Sequence, residues 1–214
     1  MPRKKRARQY SSPVREQRAD ETRTRIADAA RTLFLANGFD GTTVDAIARE
    51  AGVAVPTVYA IFRSKRGLVE ELLHRARFGA AYADLVQRAI AETDPRARVR
   101  FVARISRRVY DGERAELDFL RGAGMVSPDL GDAEEERKRY TLQKKTIDFL
   151  SDAGVLRSDL DVTTARDVLF AMTARDVYRS LVVVRGWDPA KYERWLGETL
   201  LAALVLAAPA VDRR

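Results

Sequence analysis

The sequence has no cysteine, a single histidine and no long apolar run. The absence of cysteine excludes disulfides, thiolate metal ligands and thiol nucleophiles, and it suits a reducing compartment. A Ser-His-Asp triad would have to use His74, which lies among the arginines Arg75 and Arg77 and off the apolar stripe of its helix. The sequence also shows no metal-ligand spacing. We therefore expect a protein that is not an enzyme and that uses no metal and no cofactor.

The sequence also lacks signals for a membrane or for export. No segment of about 18 consecutive apolar residues occurs, so we expect no transmembrane helix. The charged residues near Met1 are not followed by an apolar segment, which argues against a secretory signal. Together these features predict a cytoplasmic protein.

Positive charge is concentrated in the first third of the chain. The 214 residues include 39 Lys and Arg against 31 Asp and Glu, a net charge of +8. Residues 1–79 hold 16 of the basic and 9 of the acidic side chains, so nearly all of the excess lies there. This distribution favours a polyanionic partner for the N-terminal part, most simply nucleic acid. A basic tail that only aids solubility is the alternative.

Helical periodicity runs along most of the chain and predicts an all-α fold of about nine helices. The first helix has one apolar face and should end at Gly38, which can take a positive φ. Thr43 is expected to cap a short second helix that Gly52 ends, and a third helix follows three residues later. Ser64 should cap a fourth helix that runs to about Glu92. The apolar face of the first helix consists of Ile26, Ala29, Ala30, Leu33 and Phe34.

The C-terminal part predicts five further helices. Asp94 and Asp188 should each cap a helix whose first residue is proline. Between them the pattern predicts a short helix near 114–122, a helix over 132–152 and one over 162–185. The last of these three is apolar on several sides, which is typical of a helix buried on several sides.

Residues 43–62 have the spacing of a helix-turn-helix, and a longer stretch makes the pattern specific. The sequence "RIADAARTLFLANGFDGTTVDAIAREAGVAVPTVYAIFRSKRGLVEELL" closely resembles the DNA-binding domain of the TetR (tetracycline-repressor) family of transcriptional regulators. The residues that carry the resemblance are Ile26, Ala29, Phe34, Gly38, Thr42, Thr43, Ile47, Ala48, Ala51, Gly52, Val53, Thr57, Tyr59, Phe62 and Lys65.

The resemblance implies a two-domain homodimer that binds a double-stranded DNA operator. Composition predicts a disordered basic arm over 1–18, and the resemblance implies a helix-turn-helix domain over 19–66 and a ligand-binding and dimerisation domain over 67–214. It implies a sequence-specific regulator, most simply a repressor that a small-molecule effector releases from its operator. The alternative is a DNA-binding architectural protein without an effector. A third hypothesis is an all-α enzyme that contains a helix-turn-helix, but the single histidine and the lack of cysteine argue against it.

The family match also assigns roles within the helix-turn-helix. Thr42, Thr43, Tyr59 and Lys65 correspond to positions that contact phosphates, and with Thr57 they would fix the register of the protein on DNA without reading its sequence. The alternatives are an ordinary helix cap for Thr43, a packed surface aromatic for Tyr59 and a solvated charge for Lys65.

Little on the third helix can hydrogen-bond to bases. Val55, Pro56 and Ala60 face the groove in this interpretation and would sense thymine methyl groups, while Arg49 on the second helix is the candidate for a guanine. A solvated helix charge is the alternative for Arg49. The arm "PRKKRAR" would follow the minor groove.

Two positions depart from the family pattern. Ala54 stands where a capping Ser or Thr is usual, which forfeits about 1 kcal/mol. Gly67 stands where an acidic residue often completes a capping box with Ser64.

The C-terminal domain offers weaker signals. Candidate walls of a ligand pocket are Tyr110, Phe119, Met125, Phe149, Phe170, Met172, Arg175 and Tyr178. For Arg175 and Tyr178 the alternative is an ion pair at the dimer interface or a surface strip, and for the apolar residues it is plain core. The last two helices carry more apolar surface than one small domain can cover, which predicts a two-fold interface. The candidates for that interface are Trp187, Tyr192, Trp195 and Leu196.

Deleting residues 2–8 tests the arm. If the arm neutralises phosphates, the slope of log affinity against log salt should become shallower by roughly 0.9 for each phosphate that the shortened protein no longer neutralises. Binding titrations at several salt concentrations measure the slope. Replacing Ser11 and Ser12 with alanine is the control and should leave it unchanged. An unaltered slope after the deletion would exclude the arm from the DNA interface.

Overall fold

The computed structural model describes residues 13–125 and 133–206, and within them it contains α-helices joined by short turns. The only other pairing among these residues is an isolated bridge between Leu156 and Val205. The predicted all-α fold is confirmed. The helices are α1 (Pro13–Gly41), α2 (Val44–Glu50), α3 (Val55–Phe62), α4 (Lys65–Phe78), α5 (Ala80–Ala91), α6 (Pro95–Gly122), α7 (Ala133–Asp152), α8 (Val162–Met172), α9 (Arg175–Tyr178) and α10 (Pro189–Leu204), with a π-helical segment at Arg179–Val184 between α9 and α10.

The chain divides into two compact units, and the division falls inside α4 and α6. Among the described residues, unit 1 contains 13–73 and 117–125, and unit 2 contains 74–116 and 133–206. The predicted domain boundary between residues 66 and 67 stays a prediction. In the part of the chain that the structure describes, no helix is long and apolar enough to cross a membrane.

Unit 1 is built on the apolar faces of α1 to α4. The predicted stripe of α1 is buried, with Ile26, Ala30 and Phe34 fully shielded from solvent. Ile47 of α2 and Val58 of α3 are buried as well, and α2 contacts both α1 and α3. Short helices of seven and eight residues are marginal alone, so this packing is what holds α2 and α3 in place.

The helix-stop signal at Gly38 is confirmed. Its φ of 73° lies in the region that favours glycine, and the chain bends there within the segment of α1. The bend frees the N–H of Phe39 to donate to the carbonyl of Ala123 at 2.7 Å. The turn that follows α6 therefore supports the turn from which α2 begins.

Gly67 is required by a close approach at the start of α4. A Cβ atom at this position would lie 2.0 Å from the carbonyl oxygen of Phe62. Ser64 still caps the helix, because its hydroxyl accepts a hydrogen bond from the N–H of Gly67 at 3.1 Å. The departure from the family pattern is thus explained by the tight turn between α3 and α4, which leaves no room for an acidic side chain.

Three predicted boundaries in the chain up to Gly122 are wrong. Residues 13–18 of the predicted disordered arm belong to α1, while residues 1–12 lie outside the described residues. The fourth helix ends at Phe78 rather than near Glu92, because Gly79 takes an extended backbone and a new helix follows. The predicted short helix near 114–122 is the second half of α6.

The interior of unit 2 explains why the continuity of α6 was not visible in the sequence. Glu113 and Glu116 are buried, with 4% and 6% of their surfaces exposed. Acidic residues on the inner face interrupt the apolar periodicity from which a helix is predicted. The apolar core of this unit centres on α10, where Tyr192, Leu196 and Leu200 are fully buried.

The predicted helix over 162–185 is broken at Thr173. This residue is 1% exposed and lies at the end of α8, where Ala174 has an extended backbone. Side chains from two other helices stabilise the break: Tyr110 donates to the Thr173 carbonyl at 2.8 Å, and Arg139 and Gln143 donate to its hydroxyl, both at 2.8 Å. Partners distant in sequence thus decide where this helix ends.

Gly67→Ala should destabilise the protein by about 1–3 kcal/mol, because the added methyl group meets backbone rather than a movable side chain. Gly122→Ala is a matched control, since a Cβ there meets nothing within 4 Å and the residue lies in a helix. It should be neutral or stabilising by up to about 1 kcal/mol. Urea unfolding of the two variants measures the difference. Equal stability would contradict the close approach at Gly67.

Candidate nucleic-acid interface and ligand cavity

The helix-turn-helix is formed by α2, the turn at Gly52 and α3. Thr43 caps α2 as predicted, because its hydroxyl oxygen accepts a hydrogen bond from the N–H of Ala46 at 3.1 Å. A hydroxyl that accepts at a cap keeps its own O–H for another partner. Since Thr43 is exposed at the helix N-terminus, that O–H is placed where a phosphate is favoured.

The two sides of α3 differ as the sequence predicts. Val58 and Phe62 are buried at 1% and 5% exposure. The opposite side presents Pro56, Tyr59 and Ala60 to solvent, with Tyr59 48% exposed. Val55 and Thr57 are half-buried. No side chain caps the helix at Ala54, so the forfeited cap is confirmed, and proline occupies the first turn.

Arg49 lies on the exposed side of α2. Within the described residues it makes no ion pair and no side-chain hydrogen bond, and it is fully on the solvent side. A guanidinium in this condition keeps all of its donors for an external acceptor.

The structure corrects the role predicted for Thr42. Its side chain is 1% exposed, and the single proton of its hydroxyl is shared between the carbonyls of Gly38 at 2.7 Å and Leu33 at 3.0 Å. The hydroxyl therefore closes the end of α1 inside unit 1, and it is too deeply buried to reach a phosphate.

Lys65 has a structural role that the sequence did not reveal. Its ammonium donates to the carbonyls of Phe39 at 2.6 Å and Thr42 at 2.9 Å, and it lies 4.2 Å from the centre of the Phe39 ring. Two of the three N–H donors are therefore used within the protein, and one remains for a phosphate.

Two arginines near the end of α3 were missed. Arg63 follows α3 with a φ of 63°, the one positive value outside glycine among the described residues, and Arg66 lies in the first turn of α4. Both are exposed. The sequence signal for both is the basic run "RSKR", in which the family match assigns a role to Lys65 alone.

Unit 2 contains a cavity of about 350 Å³, a size within the usual range for ligand sites. It lies among α4 to α8 and is bounded by both aromatic and charged side chains. The lining residues are His74, Phe78, Tyr82, Ile105, Ser106, Val109, Tyr110, Glu134, Glu135, Lys138, Arg139, Leu142 and Thr173.

Of the predicted pocket residues, Tyr110 alone lines this cavity. Burial raises the pKa of its hydroxyl to about 12, so the group stays neutral, and the hydroxyl is engaged with Thr173. Phe119 and Met125 belong to unit 1, where the Arg31 guanidinium lies 4.1 Å from the centre of the Phe119 ring. Phe149 and Met172 pack against the apolar core, which is the alternative considered for them.

The remaining pocket candidates serve the interior of unit 2. Phe170 lies under the Arg139 guanidinium, 3.8 Å from the ring centre. Arg175 donates to both oxygens of Glu113, at 2.7 and 3.0 Å. Tyr178 is 3% exposed, and its hydroxyl donates to Asp111. Both burial and this hydrogen bond raise the pKa of Tyr178, and burial is the larger cause. The ion pair expected for Arg175 is therefore internal to unit 2.

Two of the predicted dimer contacts are wrong. Tyr192 and Leu196 are 0% exposed and belong to the core of unit 2, so they cannot reach another subunit. Trp187 and Trp195 are half-buried, with their rings perpendicular and 5.9 Å apart. These two tryptophans stay candidates for an interface.

Lys65→Met should lower the free energy of unfolding by about 1.5–3 kcal/mol, because it removes the hydrogen bonds from a charged donor to two carbonyls. Arg66→Met is the control. Its exposed side chain should contribute within about 0.5 kcal/mol. Chemical unfolding of both variants checks this, and equal stability would contradict the role of Lys65 in holding the α1–α2 turn.

Comparisons with known proteins agree with this geometry. Residues 26–72, which include α2 and α3, match the family model of bacterial regulatory proteins of the tetR family. The HTH-type transcriptional regulator SrpR of Pseudomonas putida is 46% identical over 55 residues, which is 26% of this chain and 26% of SrpR. The chain therefore matches about a quarter of the length of this curated relative.

Solved structures extend the likeness to most of the chain. NalD, the secondary repressor of the MexAB-OprM multidrug efflux pump in Pseudomonas aeruginosa, has a TM-score of 0.52 at 22% identity and covers 90% of this chain and 100% of its own. The SmeT–triclosan complex has a TM-score of 0.56 at 19% identity, covering 91% and 98%. At these identities the likeness shows a shared fold. Residues 26–72 therefore resemble the DNA-binding part of tetR-family regulators, and the chain shares the fold of these two solved proteins.

Proposed function

We propose that this protein is a sequence-specific, DNA-binding repressor that acts as a homodimer in the cytoplasm and leaves its operator when a small molecule binds. The observation that carries the proposal is the combination of an exposed helix-turn-helix in unit 1 with a cavity of about 350 Å³ in unit 2. DNA binding alone needs only the helix-turn-helix, whereas control by an effector also needs the cavity.

The DNA-binding surface of the proposal is the exposed side of α2 and α3. Thr43, Thr57, Tyr59 and the remaining donor of Lys65 contact phosphates and set the register. Arg63 and Arg66 add exposed cations beside them. Thr42 is omitted because it is buried.

Few side chains on this surface can recognise the base sequence. Val55, Pro56 and Ala60 contact thymine methyl groups, and Arg49 donates two hydrogen bonds to a guanine. The support for Arg49 is that its guanidinium is exposed and has no partner in the part of the chain that the structure describes.

The proposed dimer interface lies on exposed apolar side chains near α10. Val183 and Val184 are 53% and 64% exposed and precede Trp187 in the chain. Adjacent exposed valines followed by a half-buried tryptophan form an apolar patch of the kind that marks protein contacts. A two-fold axis through this region would bury the patch of both subunits.

The effector part of the proposal rests on the cavity. Its lining mixes apolar rings with a small number of polar groups, which is typical of small-molecule sites. Among proteins of the same fold, SmeT is described in complex with triclosan and NalD as a repressor. These descriptions support an effector-released repressor without identifying the effector.

Selection of genomic fragments by the purified protein should recover one palindromic operator. On that operator, Arg49→Ala should relax the preference at one base pair in each half-site, with a loss of about 1–3 kcal/mol against the original base. Competition with operators altered at single positions measures the preference.

The control for Arg49→Ala is Glu50→Ala, the exposed neighbour in α2, which should keep the preference at every position. A uniform loss over all operators would make Arg49 a phosphate contact instead. Fragments without a shared sequence would favour an architectural protein and contradict the repressor.

A further inference from the structure

The cavity of unit 2 has two chemically different walls. Helices α4, α5 and α6 provide an aromatic and aliphatic wall, formed by Phe78, Tyr82, Ile105, Val109 and Tyr110. The facing wall belongs to α7, whose residues Glu134, Glu135, Lys138 and Arg139 are charged. A ligand that fills such a space is amphipathic, with an apolar ring on one side and a polar group on the other.

The cations of the charged wall are already engaged. The Arg139 guanidinium donates to Glu136 at 2.6 Å, to the carbonyl of Phe170 at 2.9 Å and to the hydroxyl of Thr173 at 2.8 Å, and it covers the Phe170 ring. An anionic ligand would have to displace these partners. Because the end of α8 at Thr173 depends on the same contacts, displacing them would also disrupt the local structure there.

Lys138 is also paired. Its ammonium lies 2.7 Å from a carboxylate oxygen of Glu134, and both side chains are about two-thirds exposed, at 66% and 65%. An exposed pair of opposite charges at one turn of a helix contributes little net field to the cavity. Neither Lys138 nor Arg139 therefore provides an anion site.

Glu135 is different, because part of its carboxylate remains unused. One oxygen, Oε2, pairs with the guanidinium of Arg77, while the side chain as a whole is 23% exposed and lines the cavity. Oε2 is buried and makes no hydrogen bond of good geometry, and the other oxygen, Oε1, has no hydrogen bond or ion pair within the described residues. The charged wall therefore offers a ligand a hydrogen-bond acceptor that carries negative charge.

The protein already holds a cation of its own beside the cavity. The Arg77 guanidinium lies 4.7 Å from the centre of the Phe78 ring and 3.3 Å from Glu113, and it also contacts Glu135. An aromatic ring and carboxylates thus stabilise a positive group at this place, as they do in sites that recognise ammonium ligands. Because Glu135 lines the cavity, an N–H donor of a ligand held there lies near this carboxylate.

We propose that the cavity binds an arylalkylammonium, that is, a protonated amine joined to an aromatic ring by a short chain. The ring packs against Phe78, Tyr82 and Tyr110, and the ammonium donates to the unused oxygen of Glu135. A charge-assisted hydrogen bond of this kind is about twice as strong as a neutral one, so it discriminates against neutral ligands of the same shape. This inference rests on the proposed function, because it names the class of effector for the same cavity.

Three probes of one shape test the charge preference: phenylbutylammonium, phenylbutanol and phenylbutanoate. Isothermal titration of the full chain at neutral pH should give the ammonium at least about tenfold tighter binding than the alcohol, which corresponds to one charge-assisted hydrogen bond. The carboxylate should bind more weakly than the alcohol. Equal binding of all three, or a preference for the carboxylate, would overturn the proposal.

Glu135→Gln should remove the preference for the ammonium while the affinity for the alcohol stays unchanged. Glu198→Gln, which alters an exposed carboxylate on α10, is the control and should keep the preference. Since Glu135 also pairs with Arg77, unfolding of this variant is monitored in parallel. If it fails to fold, Tyr82→Leu tests the same site, because it removes a ring that packs against the aryl group and should lower the affinity for the ammonium and the alcohol alike.

Operator binding in the presence of each probe separates the two proposals. Release of the operator by the ammonium, but not by the other two probes, supports both effector control and the ligand class. Tight ammonium binding without release supports the ligand class and overturns effector control. Release by the carboxylate, or release by other compounds while the ammonium does not bind, supports effector control and overturns the ligand class.

Discussion

The interior of unit 2 depends on the neutralisation of one buried carboxylate. Glu113 is 4% exposed and receives Arg77 from α4 and Arg175 from α9. Arg77 extends the network to Glu135 on α7, so four helices meet at paired charges rather than at apolar side chains alone. Removing one partner would leave an uncompensated charge away from water, which is strongly destabilising. These pairs fix the helices that surround the cavity, and they place one carboxylate at its wall.

Unit 1 follows a different rule, because its short helices are held by apolar packing and by bonds to free backbone carbonyls. The Thr42 hydroxyl and the Lys65 ammonium lie within hydrogen-bond distance of four backbone carbonyls, three in α1 and one at Thr42 before α2. This internal use of polar side chains leaves the outer side of α2 and α3 to Arg49, Tyr59 and the small apolar residues of the first turn of α3. The surface offered to DNA is therefore narrow, and the proposed division between register and reading follows from it.

Much of the helix-turn-helix could be predicted because its signals are local. The caps at Thr43, Ser64, Asp94 and Asp188 depend on residues two or three positions away, and all four are present. The burial of Thr42 could not be predicted in this way. A threonine at a helix boundary can turn inwards or outwards, and the carbonyls of the preceding helix decided the direction. Local pattern likewise placed Tyr192 and Leu196 on an apolar stripe, but it could not distinguish a core from an interface.

The sequence by itself determined the all-α class, the tetR-type pattern of residues 26–72, the positions of most caps and the basic character of the first third, since each depends on neighbouring residues or on composition. Only the tertiary structure decided the continuity of α6, the break at Thr173 and the walls of the cavity. The physical reason is the same in each case. Glu113 tolerates burial, and Thr173 can end a helix, because partners from other helices meet their hydrogen-bonding and charge requirements. Those partners lie more than 30 positions away in the chain, where no periodicity connects them.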